Sequence, residues 1–114
     1  MSIFDTAATP INGVARKLAL AAAGSVTIPQ GAVIRKIFIR NKTANAVTGG
    51  IKIGTTVGGT DVLAAQALAA SAVVSANALI DAINTAAVRT LYIDAVTAWN
   101  SASVDVAVEY TDLV

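Results

Sequence analysis

Between Arg89 and Tyr110 the side chains alternate in character along two successive segments. In Thr90-Leu-Tyr-Ile-Asp-Ala95 the apolar positions are Leu91, Ile93 and Ala95, and in Val104-Asp-Val-Ala-Val-Glu-Tyr110 they are Val104, Val106, Val108 and Tyr110. Apolar residues at every second position describe a strand with one buried and one wet face. Trp99-Asn100-Ser101 lies between the two segments, so this end of the chain reads as a half-buried β-hairpin. A chain that devotes its clearest pattern to such strands folds around sheets, and the rest of the sequence can be read against that expectation.

The remaining segments supply further strands of similar length. Val14–Leu20 is one candidate, and Val26 and Ile28 alternate in a second that ends at Pro29-Gln30-Gly31, where proline removes a ladder donor and glycine favours a turn. Val33–Asn41 places Ile34, Lys36, Phe38 and Arg40 on one parity and Val33, Arg35, Ile37 and Ile39 on the other. Neither parity is uniformly apolar, so this strand reads as covered on both sides. A polar loop at Thr43–Thr48 and the pair Gly49-Gly50 precede a short strand, Ile51-Lys52-Ile53, which Gly54 and Gly58-Gly59 close; the glycine pairs read as turns. The Ala-rich stretch 61–87 lacks Pro and Gly, a composition that favours helix. Val73-Val74 and the asparagines at 77 and 84 point the other way, to strands near Val62–Leu68 and Ala72–Ala76 and one helical turn at Ala78–Ile83. Short strands at intervals of about 8–12 residues indicate an antiparallel sandwich, and eight of them in two sheets make a jelly roll.

With 114 residues the chain has room for one core and one domain. The expected organisation is a β-sandwich over 11–114 preceded by an arm, 1–10. In that arm Ile3 and Phe4 fit no periodic template, and Thr9-Pro10 prevents its continuation into a regular element. Of the residues, 55% are hydrophobic and the mean hydropathy is +0.69, but the excess comes from 25 alanines and 14 valines. Burial contributes roughly 25 cal/mol per Å², so a core built from such small side chains stabilises a monomer only modestly and favours self-association. Charged residues make up 13%, against roughly a quarter in a typical domain, which leaves much of the surface to Ala, Thr, Ser and Val.

The charges are unevenly distributed. Residues 1–60 carry seven bases and Asp5, a net charge of +6, and residues 61–114 carry Arg89 and six acids, a net charge of −5. Either the subunit is dipolar and meets neighbours through opposite surfaces, or strands from the two halves pair and the charges neutralise locally. The bases are spread over several strands with only Phe38 interleaved, which does not describe a nucleic-acid-binding surface. No run approaches the roughly 18 apolar residues of a membrane span, and the N-terminus lacks the basic and apolar regions of a secretory signal, so the mature chain is expected to begin at Met1.

Candidate chemistry is sparse. His and Cys are both absent, which removes the commonest general base, the thiolate nucleophile and the usual zinc ligands. Asp105 and Glu109 are four apart on one strand, about 13 Å, wider than the roughly 5–9.5 Å of glycosidase carboxylate pairs, and read as two solvated charges. Asp61 follows Gly58-Gly59-Thr60 but lacks the Asp-x-Asp spacing of a calcium loop. The expectation is no enzyme, no metal and no cofactor. Trp99 at the loop tip is either a stacking platform for a ligand or an indole folded back to close the end of the core.

Four segments together resemble small virion proteins of tailed bacteriophages, of the capsid-decoration, head-fibre or accessory-tail type. They are Ser25-Val-Thr-Ile-Pro29, Thr43-Ala-Asn-Ala-Val-Thr-Gly-Gly-Ile-Lys-Ile-Gly-Thr55, Gly58-Gly-Thr-Asp-Val62, and Thr90-Leu-Tyr-Ile93 through Thr97-Ala-Trp-Asn-Ser-Ala-Ser-Val104. The resemblance spans residues 25–110 and implies a jelly-roll subunit, made in the host cytoplasm and located in the virion. That subunit would assemble as a trimer and decorate or cement a shell by binding itself and the major capsid protein. The same fold could instead serve as a receptor- or glycan-binding tip. Ile3, Phe4, Pro10 and Trp99 are the residues expected to make protein contacts.

Overall fold

The computed structural model describes residues 11–29, 31–78 and 89–112. The arm expected at 1–10, and residues 79–83 of the expected helical turn, lie outside them. The described chain forms eight strands: β1 (Ile11–Leu20), β2 (Gly24–Ile28), β3 (Ala32–Asn41), β4 (Val47–Gly54), β5 (Leu63–Leu68), β6 (Val73–Ala76), β7 (Arg89–Ala95) and β8 (Val104–Asp112). They pair into two antiparallel four-stranded sheets, sheet A in the order β1-β8-β3-β6 and sheet B in the order β2-β7-β4-β5. Successive strands change sheet at every connection except β4 to β5. This is the jelly-roll order, and the all-β sandwich expected from the sequence is the fold.

The expected hairpin is not formed. Its two strands exist with the expected inward residues, β7 starting one residue earlier and β8 ending two residues later than expected, but β7 pairs with β2 and β4, whereas β8 lies between β1 and β3 in the other sheet. The eight residues between them are longer than a tight hairpin loop requires, and they are tied to β4 instead: Thr48 N–H donates to Ala98 O at 2.9 Å and Val96 N–H to Gly50 O at 2.9 Å. At the tip, Ala102 N–H donates to Trp99 O at 2.9 Å around Asn100 and Ser101, both at positive φ.

The mixed parity of β3 is a bulge, not coverage on two sides. Ile34 stands opposite Tyr110 while Lys36 stands opposite Glu109, so two steps on β3 match one on β8. The extra residue switches the inward set from Ala32 and Ile34 to Ile37, Ile39 and Asn41, as an inserted residue must where the side-chain period is two. A second bulge lies near the end of β1, where Lys17 to Leu20 matches Val106 to Val104 and Ala19 takes a φ of 57°. The pair Gly49-Gly50 also lies within a strand rather than at a turn: both residues have positive φ, 81° and 86°, and they bulge β4 against β5 between Val47 and Ile51.

The core between the sheets is not the light, Ala-built core that composition suggests. Among the described residues, twenty hydrophobic side chains are buried and only Ala32, Ala95 and Ala102 of these are alanines; the remainder are Ile, Val and Leu, with Ile37, Ile39, Ile51, Ile53, Leu91 and Val106 fully enclosed. Alanines at 64, 65, 67, 69 and 70 are exposed. Their abundance therefore describes the surface, and the interior has the large branched side chains that a sandwich core needs.

Candidate assembly surface

The pairing of β8 with β3 brings the acidic second half of the chain against the basic first half. Arg40 is the cross-strand partner of Asp105, and Lys36 of Glu109; in the other sheet Lys52 is opposite Asp94. Local neutralisation thus accounts for part of the charge asymmetry. It leaves a remainder: β1, β3 and the adjoining Lys42 carry Arg16, Lys17, Arg35, Lys36, Arg40 and Lys42, against Asp105, Glu109 and Asp112 on β8, so sheet A has six bases and three acids, a net +3. The described part of sheet B and its loops has Lys52 and Arg89 against Asp61 and Asp94, a net charge of zero.

Asp105, expected as a solvated charge, is buried at 8% exposure. The β1 bulge places the Ala19 N–H 2.9 Å from Oδ1. Arg40 donates to Oδ2 through Nε and Nη2 at 3.1 and 2.6 Å, and Lys42 Nζ lies 3.0 Å from Oδ1. Burial pushes the carboxyl upward, but the Ala19 N–H, Arg40 and Lys42 together outweigh it and lower its pKa from 3.8 to about 2. Asp61 is held below its ordinary value by the Thr55 hydroxyl, which donates to Oδ2 at 2.6 Å, and by the Thr55 N–H, which donates to Oδ1 at 2.8 Å. Its carboxylate oxygens thus brace the β4–β5 loop, and among the described residues no cluster of three or more His, Cys, Asp or Glu could hold a metal ion.

The outer faces of the two sheets differ. Leu18, Phe38, Arg40, Val73, Asp105 and Ala107 line a shallow groove on sheet A, in which Leu18 is 56%, Phe38 37% and Val73 67% exposed; Val14 on β1 adds another exposed large apolar side chain. Register explains the grouping. Phe38 is opposite Ala107 on β8 and Ser75 on β6, and Arg40 is opposite Asp105 and Val73, so Phe38 and Val73 sit in adjacent rows of one face. Outward residues of β2 and β7 in sheet B are Ser25, Thr27, Thr90, Tyr92 and Asp94, a polar set.

Trp99 is placed elsewhere. Its half-buried ring packs against the core and its indole N–H donates to Asp94 Oδ1 at 3.0 Å, an arrangement that closes the end of the sandwich. Ile3, Phe4 and Pro10 lie outside the described residues. The groove residues were not singled out from the sequence, although one signal was present: Phe38 shares parity with Lys36 and Arg40, the wrong parity for a core aromatic once Ile37 and Ile39 are inward.

These features define an eight-stranded jelly roll whose sheet A carries an exposed face both apolar and basic. No family model matches the chain, and no curated protein matches it. Among solved structures, the fold is similar to that of a chain of the cyanophage Pam1 capsid asymmetric unit, with a TM-score of 0.53 and 20% identity over 90% of this chain and 85% of that chain. The likeness is one of fold.

Proposed function

We propose that this protein is a non-enzymatic structural component of a tailed-phage virion that decorates or cements the capsid shell, and that the outer face of sheet A is its contact face. The observation that carries the reading is the concentration of Val14, Leu18, Phe38 and Val73, four of the six exposed large hydrophobic residues among the described residues, on the sheet with net charge +3. Contiguous exposed apolar surface on a small domain marks an interaction site, and the surrounding bases select an acidic partner surface. The fold shared with a chain of the Pam1 capsid asymmetric unit supports placing that interaction in a virion, alongside the resemblance in segments 25–110.

Copy number in purified particles tests the reading. Hundreds of copies per particle, lost together with shell stability when the protein is omitted, is the expected result. A handful of copies at one vertex or at the tail end would transfer the protein to a receptor- or glycan-binding tip, and absence from particles would overturn the virion role.

A further inference from the structure

We propose that the groove between Leu18, Phe38 and Val73 seats Ile3 and Phe4 from the arm of a second copy of this chain. The inference rests on reading the outer face of sheet A as a contact face, and it names the occupant of that face.

Complementarity comes first. The groove is floored by Ala107 and walled by three exposed apolar side chains. Arg16 stands in the same cross-strand row as Ala107 and Phe38, is exposed, and makes no ion pair among the described residues, where the two ion pairs present both end on Asp105. An occupant should therefore offer large apolar groups next to a carboxylate. Ile3-Phe4-Asp5 offers that combination, and Asp5 is the one acid among the first sixty residues.

Reach then decides which copy supplies it. Seven steps of chain separate Phe4 from Ile11 and span at most about 25 Å, and Leu18 lies seven residues along β1 from Ile11, about 23 Å. To enter the groove of its own subunit the arm would have to reverse direction at the start of β1. A reversal consumes at least about two of those steps, and the remaining five or so span at most about 18 Å, short of Leu18. The seat is therefore supplied by the arm of a neighbouring copy.

Because the chain contains no cysteine, disulfide trapping reads this contact without background. Phe4→Cys and Val73→Cys variants of the full chain are purified separately, mixed at micromolar concentration and oxidised, with Thr27→Cys on the outer face of sheet B as the comparison partner and circular dichroism confirming that each variant is folded. The expected result is a mixed dimer of the Phe4→Cys and Val73→Cys chains, at least about tenfold more abundant than with Thr27→Cys and reduced by a similar factor when Leu18→Glu is added to the Val73→Cys chain. Equal trapping at Thr27→Cys, no mixed dimer, or an intrachain bond in a dilute Phe4→Cys/Val73→Cys double variant would each overturn the seat. High copy number in particles combined with such a result would sink the arm's seat alone, whereas absence from particles sinks the virion role whatever the trapping shows.

Discussion

Arg40 and Asp105 stand directly opposite each other on β3 and β8, and the guanidinium donates twice to one carboxylate oxygen, from Nε at 3.1 Å and Nη2 at 2.6 Å. The other oxygen receives the Ala19 N–H, so one carboxylate fastens β1, β8 and β3 across the face that carries the groove. A bonded buried carboxylate of this kind stiffens the sheet and holds the bulged end of β1, with Leu18, beside β8.

The pKa of Asp105, lowered to about 2, gives stability a defined pH dependence. A carboxyl whose pKa is lower folded than unfolded contributes stability that is fully present above its unfolded value and is lost as pH falls through the folded one. The contribution is therefore complete above about pH 4 and disappears between pH 4 and pH 2. Because Arg40 is 59% exposed, solvent screening limits it to on the order of 1–2 kcal/mol. Urea midpoints at pH 7, 4 and 2.5 should fall more steeply for the native chain than for Asp105→Asn. Parallel slopes would remove Asp105 from the account.

Asp105→Ala should cost more than Asp105→Asn at neutral pH. The amide retains an oxygen for the Ala19 N–H and loses the ionic contacts to two partly solvated bases; alanine leaves that N–H without its acceptor, a loss of about 1–3 kcal/mol. Chemical denaturation of the two variants at pH 7 checks the order.

Two glycines at nearly the same φ should respond differently to alanine. A Cβ at Gly50 (φ 86°) would lie 2.4 Å from the Gln66 carbonyl oxygen and 2.7 Å from its carbon, whereas at Gly58 (φ 76°) it would meet nothing within 4 Å. Gly58→Ala incurs only the left-handed backbone cost, about 1–2 kcal/mol, while Gly50→Ala must also separate β4 from β5. Thermal melts should show a modest loss for Gly58→Ala and a loss at least twice as large for Gly50→Ala.

Asn41 is 2% exposed and joins two loops. Its Nδ2 donates to Asn45 O at 2.7 Å and Ala69 O at 3.1 Å, while its Oδ1 accepts from Thr43 N–H at 3.0 Å and the Thr43 hydroxyl at 2.8 Å. Asn41→Asp would set a carboxylate against two carbonyl oxygens. It should destabilise by about 3 kcal/mol or more and exceed Asn41→Ala, as measured by urea unfolding at pH 7; the reverse order would show that the two donated bonds carry little.

Val73→Glu, on the short edge strand β6, should leave the melting temperature within a few degrees of the native value, because the side chain is 67% exposed and surface changes are usually small. The same substitution should weaken particle binding by at least about tenfold through loss of apolar contact. Unchanged binding would place the contact face elsewhere.

Strand identity was legible at Val14–Leu20, Val26–Ile28, Val33–Asn41, Ile51–Ile53, Thr90–Ala95 and Val104–Tyr110, since alternation and the Pro29 stop are local properties of the chain. Residues 63–68 and 73–76 could also be assigned to strands despite their alanine content, because Val73-Val74 and Asn77 contradict a helix. Pairing was not legible. Leu91-Ile93 and Val104-Val106-Val108 each show one dry face, and that pattern is satisfied equally by a hairpin and by two strands in opposite sheets; the pairing of β7 with β2 and β4, and of β8 with β1 and β3, distinguishes them. The same holds for β3, where two-sided coverage and a bulge at Arg35 produce the same mixed parity.

What the amino-acid sequence determined by itself was the all-β class, a single core, an opposition of charge between its halves and the absence of histidine and cysteine chemistry, because each follows from residue type and spacing. Tertiary structure decided where the alanines go, that Asp105 is buried and bonded, and that Leu18, Phe38 and Val73 meet on one face. Those depend on which strands lie side by side and in what register: a single inserted residue in β1 or β3 turns every later side chain to the other face, and residues 18, 38 and 73 line one groove because their strands, remote in the chain, belong to one sheet.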